Sequence, residues 1–222
     1  MPRELRQQDW ESVLGDVLSA TAQHIRDAND HKKYCDLANE RFYHHRFSCL
    51  LSERYKEKNV DMWAEHLLTP EGKTEGNFNW SPDALDLNNV EATRDLALTG
   101  QRGNHDFVVN AVPRVRVEWK GPKMYTKRDI AKVCLKLLHR VSPDEPKLVC
   151  AIITGAKKGN KRHVEALEER FKCMLHFACD VIGCDDIASL NLFVYVATIL
   201  DAEPHKYHWR QMTDIDAKWS AI

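Results

Sequence analysis

The clearest alternation of apolar and polar positions lies in the C-terminal half of the chain. The stretches "DFVVN" (106–110) and "RVRVEWK" (114–120) alternate as half-buried strands do, and a short turn containing Pro113 joins them. The segment "TKRDIAKVCLKLLHRV" (126–141) has its apolar residues at helical spacing. The pattern therefore predicts a β-hairpin followed by an amphipathic helix.

Two nearly continuous apolar stretches follow, on either side of another helical pattern. The apolar stretches are "PKLVCAIITG" (146–155) and "LNLFVYVATIL" (190–200), and the helical pattern covers 160–183. Strands without alternation are typical of a sheet covered on both faces. The predicted order of elements is helix, hairpin, helix, strand, helix and strand. This order predicts an α/β sandwich around a mixed sheet.

The N-terminal half predicts mostly helix and one long loop. Asp9 can cap an amphipathic helix over 9–28, a second helix covers about 34–56, and the polar stretch 71–104 reads as a loop suited to recognition. We expect three parts: a helical arm at 1–33, the main domain at 34–203 and a C-terminal tail at 204–222.

Composition places the chain among globular proteins. Of its 222 residues 43% are hydrophobic and 29% charged, a balance that fits neither a disordered nor a membrane-embedded protein. No apolar run approaches the roughly 20 residues of a spanning helix, and the first residues lack the apolar stretch of a secretion signal. The seven cysteines have no regular spacing and are expected to be reduced thiols. We therefore expect a cytoplasmic protein without membrane contact.

The net charge of −1 hides an asymmetry along the chain. Between Arg114 and Lys172 the sequence has 16 Lys and Arg against 7 Asp and Glu. Such a basic region favours an anionic partner bound on one face. Ordinary solvated helix faces are the alternative explanation.

The predicted strand 114–120 has one apolar and one charged face. Side chains alternate along a strand, so one face of 114–120 carries Val115, Val117 and Trp119 and the other carries Arg116, Glu118 and Lys120. We expect the apolar face to be the buried one.

A three-residue turn would set the register of this hairpin. Phe107 then pairs with Val117, and Asp106 stands opposite Glu118 with Cβ atoms about 5 Å apart. Two carboxylates placed in this way repel each other unless a cation such as Mg²⁺ binds them. Lys120 lies one pleat further on and could contact a phosphate. An ordinary surface pair, or a bulge that separates the acids, is the alternative.

The sequence combines Asp106, a hairpin, the motif Glu118-x-Lys120 and the predicted order of elements. In this combination the chain resembles the PD-(D/E)XK nuclease superfamily. The resemblance covers about residues 36–200 and includes the Gly-Pro break that follows Lys120. One departure is His105, which stands where the motif's name has proline.

This resemblance implies a fold, an activity and a set of site residues. The fold would be a restriction-endonuclease-like αβββαβ core, and the activity Mg²⁺- or Mn²⁺-dependent hydrolysis of phosphodiester bonds by metal-activated water. Asp106 and Glu118 would hold the metal, and Lys120 would position water and phosphate.

Family members often add an acid from the preceding helix, and Glu40 is the best match. It lies with His44 in an otherwise apolar stripe of the second predicted helix, where a buried carboxylate calls for a cation or hydrogen bonds. Glu40 could instead point outward, and Glu53, Glu71 or Glu75 could replace it. His44 is expected to be a hydrogen-bonding neighbour.

Several residues near the hairpin are expected to contact nucleic acid or line the mouth of the site. The candidates for backbone contacts are Arg102, Lys123, Lys127, Arg128, Lys132, Lys157 and Lys158, and Gln101 and His105 line the mouth. The basic turn "TGAKKGNKRH" lacks the spacing of a Walker A motif, so nucleotide hydrolysis is not favoured.

The expected partner is nucleic acid, with DNA favoured over RNA, and a homodimer could form through the N-terminal helix. Two other functions stay open from the sequence. One is a catalytically inactive nuclease-fold protein that binds nucleic acid or acts as a scaffold. The other is an unrelated α/β enzyme with a Cys/His site.

Overall fold

The computed structural model describes the central and C-terminal elements of the chain. The described residues are 44–45, 47–49, 53, 61–64, 73–77, 81–98, 102–110, 115–120, 125–139, 144–145, 147–156, 161–200, 206–211 and 220–221. The predicted arm at 1–33 lies outside them, and of the second predicted helix only the helical residues 44, 45, 47–49 and 53 are described.

The described elements comprise strands, α-helices and 3₁₀ turns. The strands are β1 Asp61–Ala64, β2 Lys73–Asn77, β3 Arg102–Asn104, β4 Phe107–Asn110, β5 Val115–Lys120, β6 Lys147–Ala156, β7 Leu192–Leu200, β8 Lys206–Gln211 and β9 Ser220–Ala221. The helices are α1 Val90–Leu98, α2 Lys127–Leu138 and α3 Lys161–Ile182, with 3₁₀ turns at Pro82–Ala84 and Ile187–Leu190.

Seven strands form one mixed sheet in the order β1-β4-β5-β6-β7-β8-β9. Strands β5, β6 and β7 are parallel, and α2 and α3 are the crossover connections between them, as parallel pairing requires. The other pairs are antiparallel. A separate two-stranded sheet consists of β2 and β3.

The β4–β5 hairpin has the register that the sequence predicts. Phe107 pairs with Val117 and Val109 pairs with Val115. A slip by one residue would move every side chain of the strand to the other face, so the valines fix the register through burial. From Val109 to Phe107 the hairpin is paired without a bulge.

Aromatic packing covers one face of this hairpin. The ring of Phe47, on the helix that precedes β1, lies 5.0 Å from the ring of Phe107 and 5.3 Å from that of Trp119. All three side chains are buried, with Val117 beside them. Aromatic pairs at this distance stabilise by about 0.5–1.5 kcal/mol beyond their area burial.

Helices α2 and α3 cover the opposite face of the sheet. A capping box between Thr126 and Asp129 begins α2, and the buried apolar stripe of that helix packs with α3 and with Val149 of β6. The expectation of a single buried face on β5 is therefore wrong, because Arg116 and Glu118 on the other face are buried as well. The hairpin site lies inside the sandwich.

The polar stretch 71–104 is not the long loop that the sequence suggested. It contains β2, β3, α1 and the turn at Pro82–Ala84. Its polar residues act as caps: Ser81 accepts from the backbone of Asp83, and Asn89 accepts from that of Ala92. Residues with loop character thus begin short helices.

The C-terminal tail at 204–222 is likewise wrong as a prediction. Strand β8 pairs with β7 along six residue pairs, and β9 pairs with β8. These strands extend the main sheet.

No helix in the described ranges has the length and apolar character needed to cross a membrane.

Candidate active site

The hairpin brings Asp106 and Glu118 into contact at the start of β4. Continuing the observed register places Asp106 opposite Glu118, and the backbone N–H of Asp106 donates to Glu118 Oε1 at 3.2 Å. Asp106 is 6% exposed and Glu118 only 1%. Both carboxylic side chains therefore lie near this backbone contact, where water has little access.

Asp106 is held through one of its carboxylate oxygens. Its Oδ2 accepts from the backbone N–H of Trp119 at 2.6 Å and lies 3.5 Å from His44 Nε2. Burial by itself disfavours the charged form of Asp106. The nearby His44 ring and the charges of Lys136 and Lys120 outweigh that effect and hold the pKa of this carboxyl well below its usual range. Asp106 is therefore an anion at neutral pH.

Glu118 is also held through one oxygen. Its Oε1 lies 2.7 Å from Lys136 Nζ and 3.4 Å from His105 Nδ1, in addition to the backbone bond from Asp106. Its Oε2 is buried and has no hydrogen-bond partner in the part of the chain that the structure describes. An orphaned buried carboxylate oxygen is costly in free energy, so a ligand for Oε2 is to be expected.

His105 is the second buried group with unmet hydrogen bonds. It is fully buried, and within the described ranges neither ring nitrogen has a hydrogen-bond partner. Burial lowers the pKa of His105, against the raising effect of Glu118, so the imidazole is neutral at pH 7. The sequence placed His105 at the mouth of the site, but the structure places it in the interior, beside Glu118.

Three lysines surround the two acids. Lys120 ends β5 and is partly exposed, while Lys132 and Lys136 lie one helical turn apart on α2. Burial lowers the pKa of Lys132, and the charges of Lys136 and Lys120 lower it further. The lysines are therefore close enough to repel one another.

Tyr125 fixes the end of β5 that carries Lys120. Its hydroxyl donates to the Lys120 carbonyl at 3.2 Å, and Arg170 of α3 donates to the Tyr125 carbonyl at 2.9 Å. The backbone of Lys120 is thus tied to both helices that cover this face.

Other predicted contacts with nucleic acid have mixed outcomes. Lys127 and Arg128 are exposed in the first turn of α2, but Arg128 donates to the Leu85 carbonyl at 3.1 Å. Arg102 lies in β3. Lys123, Lys157 and Lys158 lie outside the described residues, as do Glu40, the predicted helix acid, and Gln101, predicted at the mouth of the site.

Lys136 is the residue that the sequence analysis missed. It follows Lys132 by four residues within a helix whose neighbouring positions are apolar. A lysine bordering the buried stripe of a helix signals a possible buried partner, and here that partner is Glu118.

The cysteines favour packing over chemistry. Cys134 and Cys179 are buried, and burial raises the pKa of the Cys134 thiol. Burial and the neighbouring Cys184 raise the pKa of Cys179 to about 12. Thiols with such pKa values are poor nucleophiles at neutral pH.

The two carboxylates fit a divalent cation that keeps most of its water. Each has one oxygen bound to protein, and Glu118 Oε2 is left over within the described part of the chain. Mg²⁺ commonly takes one or two carboxylates and retains several waters. Among the described residues no group of three or more His, Cys, Asp or Glu is arranged to hold a metal. Asp106 and Glu118 would therefore be the two protein ligands.

Comparisons with protein-family models, curated proteins and solved structures returned no match. The resemblance to the nuclease superfamily rests on the residues and the order of the elements.

Proposed function

We propose that this protein is a metal-dependent nuclease that hydrolyses phosphodiester bonds, with DNA favoured over RNA as substrate. One observation carries the proposal. Asp106 and Glu118 are both buried, the Asp106 backbone N–H donates to Glu118 Oε1, and Glu118 Oε2 lacks a hydrogen-bond partner among the described residues. Burying two neighbouring carboxylates without a cation is unfavourable in free energy. With Mg²⁺ or Mn²⁺, both carboxylates could serve as ligands of the cation and their charges would be neutralised.

The residues divide the proposed work between them. Asp106 and Glu118 would hold the cation, which when bound lowers the pKa of a coordinated water and polarises phosphate. Lys120, at the partly exposed end of β5, would contact the scissile phosphate and keep water in line with it. Exposed Lys127 would contact the nucleic-acid backbone without reading sequence.

Two features of the fold support a common site for these roles. Asp106 and Lys120 lie at the same end of the hairpin, and the Tyr125 hydroxyl bound to the Lys120 carbonyl limits how that end can move. The order of elements in the main sheet adds support: helical residues near 47 precede β1, β4, β5, α2 and β6, with β2, α1 and β3 inserted between β1 and β4.

A cleavage assay tests the proposal. The purified chain is incubated with plasmid DNA, single-stranded DNA and RNA, with Mg²⁺, with Mn²⁺ and with a chelator. We expect cation-dependent cleavage of DNA, and a loss of at least about a hundredfold in rate for Asp106→Asn and Lys120→Ala.

Two variants on α3 serve as matched controls. Asp180→Asn and Lys172→Ala make the same kinds of change at an exposed and a half-buried position, and they should cleave like the wild type. Undiminished cleavage by Lys120→Ala would show that the site assignment is wrong.

A second function is favoured by one observation. The described residues provide only two carboxylate ligands, and Lys136 already neutralises one of them. A nuclease-fold protein that binds nucleic acid without cutting it would have such a site. It would bind DNA in a salt-dependent way, Asp106→Asn would not change the affinity, and Mg²⁺ would not raise the melting temperature.

A further inference from the structure

Lys136 forms a close ionic contact with Glu118 in the candidate site. Its Nζ lies 2.7 Å from Glu118 Oε1, and the side chains are 12% and 1% exposed. Both neighbouring turns of α2 carry buried residues, among them Val133 and Leu137, so packing fixes the face that Lys136 presents. The contact is therefore built into the fold.

The ammonium group stabilises Glu118 in the absence of metal. A buried carboxylate without a counter-charge would destabilise the folded state strongly. Lys136 supplies that charge on Oε1, while Oε2 of the same carboxylate has no hydrogen bond in the described part of the chain. A divalent cation on Oε2 would then share one carboxylate with a lysine.

Such sharing places like charges close together. A cation bound to Oε2 would be repelled by Lys136 across the width of one carboxylate, in surroundings that screen charge poorly. Lys120 and Lys132 add positive charge around the same acids, as the lowered pKa of Lys132 indicates. The lysines therefore oppose the binding of a cation that the acids favour.

We infer that Lys136 is an internal counter-ion that competes with a divalent cation for Glu118 and keeps the affinity of the site for the cation low. The inference rests on the proposed function, because it requires the cation site at Asp106 and Glu118. It makes Lys136 a positioning residue, since it acts through Glu118.

The test measures binding of Mn²⁺ alone, without nucleic acid, by electron paramagnetic resonance of the free ion. Lys136→Gln keeps a hydrogen-bond donor near Glu118 but removes the charge, so it should bind Mn²⁺ about tenfold more tightly than wild type. Lys136→Arg keeps the charge and can engage both carboxylate oxygens, so it should bind Mn²⁺ more weakly, by about threefold or more.

The matched control is Lys172→Gln. Lys172 is half-buried and pairs with Glu168 at 3.6 Å, but it lies on α3, and its variant should bind Mn²⁺ like the wild type. If Lys136→Gln fails to fold, the arginine variant decides: weaker binding than wild type supports the competition, and equal or tighter binding overturns it.

The experiment distinguishes a failure of the Lys136 inference from a failure of the proposed cation site. If the wild type binds Mn²⁺ and Lys136→Gln binds it equally or more weakly, Lys136 does not compete, while the cation site and the proposed function stand. If neither the wild type nor any Lys136 variant binds Mn²⁺, the cation site itself is wrong and the inference fails with it.

Discussion

Arg116 and Glu118 lie two residues apart on one face of β5, and the fold treats their charges in opposite ways. Both side chains are buried. Arg116 belongs to a group in which each charge has a partner, whereas Glu118 belongs to one with unmet hydrogen bonds. The buried charge of Arg116 is explained by the stability of the fold, whereas the surroundings of Glu118 favour a role in binding.

At the Arg116 end the polar groups satisfy one another. Arg116 Nε donates to Glu145 at 2.6 Å, and Lys147 Nζ donates to the carbonyls of Glu145 and Leu190 at 2.6 and 2.9 Å. The lysine thereby fastens the 3₁₀ turn before β7 to the start of β6. Within the described part of the chain, the side chains of Arg116, Glu145 and Lys147 have no buried polar atom without a hydrogen-bond partner.

At the Glu118 end the same strand leaves polar atoms unsatisfied. Glu118 Oε2 and both ring nitrogens of His105 are buried, and none of them has a hydrogen bond within the described ranges. Such groups cost free energy in a folded protein. A fold that leaves these atoms unsatisfied at one end of a strand, and gives Arg116 and Lys147 hydrogen-bond partners at the other, favours a binding site at the first end.

The largest expected effect comes from breaking the paired end. Glu145→Ala leaves Arg116 buried without its counter-charge and should lower the free energy of unfolding by about 3 kcal/mol. Urea unfolding followed by tryptophan fluorescence measures the loss. The cleavage rate below the melting temperature should be unchanged, since Glu145 lies outside the proposed site.

The exposed pair of Arg94 and Glu91 offers a control for that prediction. The two groups are 2.8 Å apart at the surface, so Glu91→Ala should cost about 0.5 kcal/mol or less. Equal losses for Glu91→Ala and Glu145→Ala would remove the distinction between a buried and a surface pair.

A smaller effect concerns the pH dependence of stability. Burial lowers the pKa of Lys147 to about 8, against the raising effect of Glu145. Between that value and the usual pKa of lysine the unfolded state binds more protons than the folded state, so stability should rise with pH in this window. The gain for the wild type should exceed that for Lys147→Met by about 2 kcal/mol from pH 8 to pH 10.

Urea unfolding of both proteins across this range measures the difference. Subtracting the variant removes the contribution of other groups that titrate there. Parallel curves would mean that the folded protein keeps Lys147 protonated, with the carbonyls of Glu145 and Leu190 compensating for its burial.

The smallest expected effect comes from removing a hydrogen bond at the Glu118 end of β5. Tyr125→Phe removes the hydroxyl that donates to the Lys120 carbonyl and should lower stability by about 1 kcal/mol. Because Lys120 must be aligned with the phosphate, the cleavage rate should also fall, by about threefold to tenfold.

Thr93→Val is the matched control for this variant. Thr93 donates to the Asp86 carbonyl at 3.1 Å, so its loss should cost similar stability with no change in cleavage. If both variants cleave equally well, the Tyr125 bond has no part in placing Lys120.

Much of the site's framework could be predicted because it depends on local patterns. Alternating valines fix the β4–β5 register, and with it the pairing of Asp106 and Glu118. The prediction failed where polar residues serve two purposes. The stretch at 71–104 looked like a loop because Ser81 and Asn89 favour turns, yet the same residues cap helices.

The sequence by itself determined that two acids face each other at one end of a hairpin, because side-chain direction in a strand repeats every two residues. Only the tertiary structure decided that α2 closes over them. That packing places Lys136 against Glu118 and buries His105 without a hydrogen bond in the described part of the chain. Residues 18 positions apart meet through a crossover connection, and such long-range contacts leave no periodic trace in the chain.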